Sequence, residues 1–175
     1  MTLLRASIWV LVLTAGLALA RKVVFNYDPG LDFSGFHTYK WITIDEGNGV
    51  DKLTAQNIVN LVSTELAKKG FVLAGGTRDA DLYVGYQAAV DGQKPLTWFN
   101  AGGSPWKSGT GSDTASAIDA GTLVIDFYNP ARKQLVWRGT AADTLKPGTD
   151  TSKNYGRVRD AIGKLLKNFP PRVKK

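Results

Sequence analysis

The sequence predicts an α+β fold: a two-layer sandwich in which a largely antiparallel sheet carries two helices on one face, in the order ββαββββα. Three observations carry this. The strand-like segments are rich in aromatic and β-branched residues and outnumber the helical ones. The two helical patterns are separated by four successive strands, whereas a doubly wound parallel sheet needs strand and helix to alternate. The run Asn129-Pro130-Ala131-Arg132-Lys133 between two of the strands is of hairpin length.

The first twenty residues read as a signal peptide. One early charge, Arg5, precedes an apolar stretch over 6–20 that ends in Ala18-Leu19-Ala20, the small-x-small pattern a signal peptidase accepts. That stretch is shorter than the roughly 20 residues a helix needs to cross a bilayer. Cleavage after Ala20 is expected, with retention as an amino-terminal anchor as the alternative, because Arg21 and Lys22 follow at once. The expectation is a periplasmic or secreted protein with no transmembrane span after cleavage, its residues 21–175 forming one domain.

Within that domain, strands are expected over 22–28 and 36–43, joined by Pro29-Gly30-Leu31-Asp32, whose Pro and Gly punctuate a turn. A helix follows over about 52–69. Asp51 serves as its N-cap and Gly70 as its stop, with Leu53, Ile58, Leu61, Val62 and Leu66 on one stripe. Strands over 71–74, 82–90, 122–128 and 135–142 complete the sheet. A second helix over about 153–168 ends before Pro170-Pro171, which cannot continue it. Residues 91–119 form a long, flexible connection rich in glycine, serine and threonine, carrying Trp98, Phe99 and Trp106; loops of that length are functional or disordered.

Several segments fall in an order that resembles a known family: Asn26-Tyr27-Asp28 with Asp32-Phe33-Ser34, Thr38-Tyr39-Lys40-Trp41, and Ala80-Asp81-Leu82-Tyr83-Val84-Gly85-Tyr86. Further along come Gly121-Thr122-Leu123-Val124-Ile125-Asp126, Leu135-Val136-Trp137-Arg138-Gly139-Thr140-Ala141 and the closing Leu165-Leu166-Lys167-Asn168-Phe169-Pro170-Pro171. Together they resemble the bacterial envelope family catalogued as domain of unknown function 4136. The resemblance covers nearly all of the chain after the leader. It implies a fold and a compartment, and it brings no catalytic residues. Many relatives look like lipoproteins with a cysteine after the leader, whereas this chain has no cysteine.

The absence of cysteine excludes a disulfide framework, a thiolate metal site and lipid attachment through a cysteine. With a single histidine, a metal site would have to be all-oxygen, and no EF-hand spacing occurs. The glycine runs Gly75-Gly76-Thr77 and Gly109-Thr110-Gly111-Ser112 lack the lysine of a phosphate loop. No metal and no cofactor is expected. Nucleophilic catalysis of the Ser/His/Asp kind would rely on His37, in mid-strand, with Ser34 or a carboxylate. Acid/base hydrolysis would draw on Asp79, Asp81 or Asp126. Alternation along 122–128 puts Leu123, Ile125 and Phe127 on one face and Thr122, Val124, Asp126 and Tyr128 on the other. If the first face is the core, Asp126 faces solvent and pairs across the strands with Arg138. No catalytic residue is assigned.

Charge is unevenly placed. Residues 21–150 are nearly neutral, whereas residues 151–175 carry eight basic residues against Asp160 alone. At 100° per residue, Tyr155, Val158, Ile162, Leu165, Leu166 and Phe169 gather on one side of the second helix, and Lys153, Arg157, Lys164 and Lys167 on the other. With Arg172, Lys174 and Lys175 they form a positive face suited to lipid headgroups, an anionic envelope polymer or an envelope protein. Nucleic acid attracts the same charges, but an exported protein seldom meets it, and it is not expected as a partner. Trp98, Phe99 and Trp106 are the second candidate surface, aromatic groups that stack on sugars or grip a partner. The functional expectation is a non-enzymatic interaction module of the envelope; the alternative is a hydrolase acting on an envelope polymer.

Overall fold

The computed structural model describes residues 23–44, 49–76, 79–99, 107–108, 117–148 and 151–172. The expected leader, Trp106, Lys174 and Lys175 lie outside them. The elements run β1 (Val23–Tyr27), β2 (Thr38–Trp41), α1 (Lys52–Lys68), β3 (Val72–Leu73), β4 (Leu82–Ala89), β5 (Lys94–Pro95), β6 (Lys107–Ser108), β7 (Ala117–Ile118), β8 (Thr122–Asn129), β9 (Gln134–Ala141) and α2 (Thr151–Leu166). No described helix is long and apolar enough to cross a membrane.

The sheet is of the expected class, largely antiparallel, in the order β1-β9-β8-β4-β2-β3, with β6 joining β9 beside the end of β1. Its centre is the β8–β9 hairpin, with Asp126 opposite Arg138 and a register shift between Phe127 and Tyr128. The turn closes with Lys133 in the left-handed region, and the Arg132 N–H donates to Asn129 Oδ1 at 3.0 Å.

β1 and β2, which the sequence joins by a short turn, are not neighbours. β1 pairs antiparallel with β9 at one side of the sheet, while β2 runs parallel to β4 and β3 near the other. Both sides of β2 are taken, one by β4 and the other by β3, which the α1 crossover brings alongside in parallel, so β1 has no place beside it. The expected flexible connection also contains three short strands: β5 pairs with β7, and β6 extends the main sheet.

Asp51 caps α1 as expected, accepting from the N–H groups of Leu53 and Thr54 and from the Thr54 hydroxyl. These contacts hold its carboxyl below the ordinary value, with the Thr54 hydroxyl the largest cause. Gly70 follows the last turn at positive φ, the left-handed stop that glycine takes without strain. The buried stripe is Thr54, Ile58, Val62 and Leu66. Leu53, expected on that stripe, is exposed: Thr54 stands four residues before Ile58 and takes the inward position, and Leu53 is turned away.

Both helices pack on the same face. Ile58, Val62 and Leu66 of α1 and Val158, Ala161, Ile162, Leu165 and Leu166 of α2 share one core with Leu123, Ile125 and Phe127 of β8. Phe169 completes it, its ring 4.1 Å from Phe127 and 5.4 Å from Trp137 between centroids. Tyr155, expected on the buried side, is exposed near the start of α2.

Candidate functional site

The opposite face of the sheet is where the structure departs most from the sequence reading. The pairing of Asp126 with Arg138 is present, but neither faces solvent: Asp126 is 0% and Arg138 4% exposed. The cause is a second covering. Every residue of β8 is buried, because Ile42, Ile44, Trp98 and Phe99 pack over Tyr128 and Leu135, and Leu96 and Ile118 over Val124.

Under this covering lies a polar network. Arg138 Nε donates to Asp126 Oδ1 at 2.6 Å, and Nη2 donates to Oδ2 at 2.7 Å, a bidentate pair in which each charge compensates the other. Gln87 Nε2 donates to Asp126 Oδ2 at 3.2 Å and to the Thr97 carbonyl at 2.9 Å, while the Thr97 N–H donates to Gln87 Oε1 at 2.7 Å. The Tyr128 hydroxyl donates to Asp126 Oδ2 and accepts from the Phe99 N–H, each at 3.3 Å. Burial and then the Asp126 charge hold this phenol well above its ordinary range, so it stays a neutral donor.

Trp98 lies over the Arg138 guanidinium at 4.6 Å from the ring centroid, and the Phe99 ring lies 5.6 Å from Tyr128 and 6.1 Å from Tyr83. Two of the three loop aromatics are therefore half-buried wall, held by the sheet. Beside them a cavity of about 240 Å³ is lined by Val24, Leu96, Ile118, Val124, Arg138 and Thr140.

The basic residues lie on the helix layer, away from Trp98 and Phe99. Lys153, Lys164 and Lys167 are exposed, and Arg157 is half-buried and engaged in a further interaction. Asp160 falls within the same stripe and pairs with Arg159 at 3.4 Å. At the end of α2 the stripe runs into two grooves that share Lys167, Pro170, Pro171 and Arg172. One adds Lys69, Asp32, Ser34 and Phe33; the other adds Phe25, Tyr27 and Asn168. Lys69, Phe25 and Tyr27 were not singled out in the sequence, since only the closure of β1 onto β9 and the packing of α1 against α2 bring them to the end of α2.

Two of the remaining candidates, His37 and Asp81, meet at the start of β2. His37 is exposed; its N–H donates to Asp81 Oδ2 at 2.9 Å. The Thr38 N–H and hydroxyl donate to the same oxygen at 2.8 and 2.7 Å. Burial raises the Asp81 pKa, but these hydrogen bonds and the nearby His37 outweigh it, and the carboxyl sits below its ordinary value. Among the described residues, no group of three or more His, Asp or Glu is placed to hold a metal ion.

Fold and surfaces together define a class: a small α+β domain with a helix layer on one face, an aromatic strap on the other, and a basic helix at its carboxyl end. The chain belongs to the family described as Domain of unknown function (DUF4136), whose model matches residues 23–171. Its fold is similar to that of a DUF4136 family protein from Bacteroides thetaiotaomicron, at 15% identity and a TM-score of 0.62 over 86% of this chain and 96% of that one. It is also similar to PelC from Paraburkholderia phytofirmans, solved as a dodecamer, at 12% identity and a TM-score of 0.50 over 87% and 99%. A PDZ domain protein from Parabacteroides distasonis aligns at 14% identity and a TM-score of 0.50 over 87% of this chain and 37% of its own. No curated protein matches the chain.

Proposed function

We propose that the protein is a non-enzymatic exported envelope protein, periplasmic or secreted, an interaction module that holds an anionic envelope component through the basic face of α2. The observation that carries this reading is the exposure of Lys153, Lys164 and Lys167 on the side of α2 opposite the buried Val158, Ala161, Ile162, Leu165 and Leu166. Cations aligned on a rigid, core-anchored helix create a field that a flexible tail does not focus. The one acidic residue of α2, Asp160, engages Arg159. Export is supported by the apolar stretch over 6–20 and its Ala18-Leu19-Ala20 ending.

The hydrolase alternative draws less support. Both carboxylate oxygens of Asp126 are taken by Arg138, and Asp81 Oδ2 accepts from the N–H groups of His37 and Thr38 and from the Thr38 hydroxyl. A general acid or base needs a carboxyl free to exchange a proton.

The test is co-sedimentation of the protein with isolated envelope fractions, comparing wild type with a Lys153→Glu, Arg157→Glu, Lys164→Glu, Lys167→Glu variant whose folding is verified by circular dichroism. The wild type pellets and the variant stays in the supernatant. Equal pelleting of the two would overturn the reading.

A further inference from the structure

We propose that the groove between the β1 edge and the carboxyl-terminal end of α2 binds an acidic polysaccharide, a glycan bearing carboxylates on its rings. The proposal rests on the reading of α2 as a docking face and names the ligand of that face.

The groove has a volume of about 450 Å³ and is lined by Phe25, Tyr27, Lys167, Asn168, the two prolines and Arg172. Its charged groups are Lys167 and Arg172, both exposed, and no carboxylate is among its described lining residues. An anionic ligand therefore meets two cations and no described carboxylate within this groove, unlike at Arg138, whose partner neutralises it. The Arg172 guanidinium offers a planar fork that matches a carboxylate, and Lys167 offers a mobile point charge.

The aromatic pair specifies the rest of the ligand. Phe25 and Tyr27 are successive inward residues of β1, half-buried, with rings stacked at 6.4 Å and 22°. Phe25 is backed by Trp137 at 6.3 Å and 14°, which fixes its orientation. Such a platform receives the apolar C–H face of a sugar ring, and the Asn168 amide supplies both a donor and an acceptor for ring hydroxyls. Pro170 and Pro171, with φ fixed, make a stiff wall on the other side.

Shape argues for a chain rather than a compact anion. β1 is the outermost strand of the sheet, so no described strand covers its outer edge beside the groove. Across the ridge of Lys167, Pro170, Pro171 and Arg172, the second groove continues the cationic track to Lys69, with Asp32 its one acidic member. A polymer can lie on the aromatic platform and present successive carboxylates to Lys167, Arg172 and Lys69. A lipid surface would instead want an exposed apolar protrusion flanked by cations, and this site is concave.

The test is isothermal titration of the full-length protein in mild detergent with polygalacturonate. Neutral dextran and phosphatidylglycerol vesicles serve as the other two probes. Polygalacturonate binds saturably and dextran does not. Charge-assisted contacts of this kind make Lys167→Glu/Arg172→Glu weaken binding by about tenfold or more. Tyr27→Leu weakens it while Tyr27→Phe, which keeps the ring, restores it, and Lys52→Glu, at an exposed lysine that lines neither groove, leaves it nearly unchanged. The proposal is overturned if polygalacturonate fails to bind, if the groove variants bind as wild type does, or if only the vesicles show the Lys167/Arg172 dependence. Should polygalacturonate fail while pelleting with envelope fractions still depends on Lys153 and Lys164, the groove assignment falls and the docking reading stands. Loss of all dependence on the α2 cations removes both.

Discussion

Asp126 accepts from three side chains at once, and through Gln87 and Tyr128 it fixes Thr97 and Phe99 against the sheet. Replacing it with Asn leaves the Arg138 charge buried and uncompensated, and urea unfolding is expected to show a loss of about 3–5 kcal/mol. Replacing both partners, as in Asp126→Leu/Arg138→Met, recovers much of that loss, because the desolvation cost of both charges disappears. Alternation in the sequence put Asp126 on the face opposite Leu123, Ile125 and Phe127, with Arg138 as its expected cross-strand partner. It did not show that the face is covered, because period two records which residues share a face and says nothing about what packs over it. The cover comes from Ile42, Ile44, Leu96, Trp98, Phe99 and Ile118, whose own segments carry no regular period. Asp81 gives a pH signature. Its folded-state pKa lies below the ordinary 3.8, so its contribution is present in full above that value and is lost as the pH falls through the folded-state pKa. Asp81→Asn is expected to cost about 1–2 kcal/mol at neutral pH, and the gap to wild type should close as the solution is acidified below about pH 4.

The packing of α2 on β9 depends on a residue without a side chain. A Cβ at Gly139 would strike the ring of Trp137 and come within 2.8 Å of Leu165 Cδ2, so Gly139→Ala forces the helix outward or the indole out of place. A loss of about 1–3 kcal/mol is expected in thermal or chemical unfolding. If Gly139→Ala were as stable as wild type, α2 would not lie against the sheet as described. The two helices and the 129–133 hairpin were legible in the sequence because each carries local signals: Asp51 and Gly70 at the ends of α1, the 3.6 period of α2, Pro130 in the turn. The neighbours of β1 and β2 were not, because strand order is set by long-range pairing. The turn residues after β1 stop the strand without saying which edge it joins. Leu53 and Tyr155 fall outside the core for different reasons: Leu53 points away from the stripe that Thr54, Ile58, Val62 and Leu66 form, whereas Tyr155 is nearly in line with Val158 and Ile162 but exposed near the start of α2.

Across the whole chain, charge and hydrophobicity are segregated. The near-neutral body supplies the sheet, α1 and the aromatic strap, and the net positive charge gathers on α2 and the residues after it. That arrangement puts the candidate contact surface on a helix anchored in the core, with Val158, Ala161, Ile162, Leu165 and Leu166 all buried beneath it. The basic stripe was legible because it lies on one continuous helix; the grooves at its end were not, because they draw residues from β1 and the end of α1 that are distant in sequence. Electrostatic docking of this kind weakens with ionic strength, so pelleting with envelope fractions is expected to fall steeply between low salt and about 0.5 M. The measurement that bears most directly on the account is an amide chemical-shift map of the isotopically labelled protein titrated with a solubilised envelope fraction. Perturbations concentrated on α2 and on 167–172, with Thr97–Phe99 and β3 unchanged, are the predicted result. A response confined to the strap and the neighbouring cavity, with α2 silent, would contradict it.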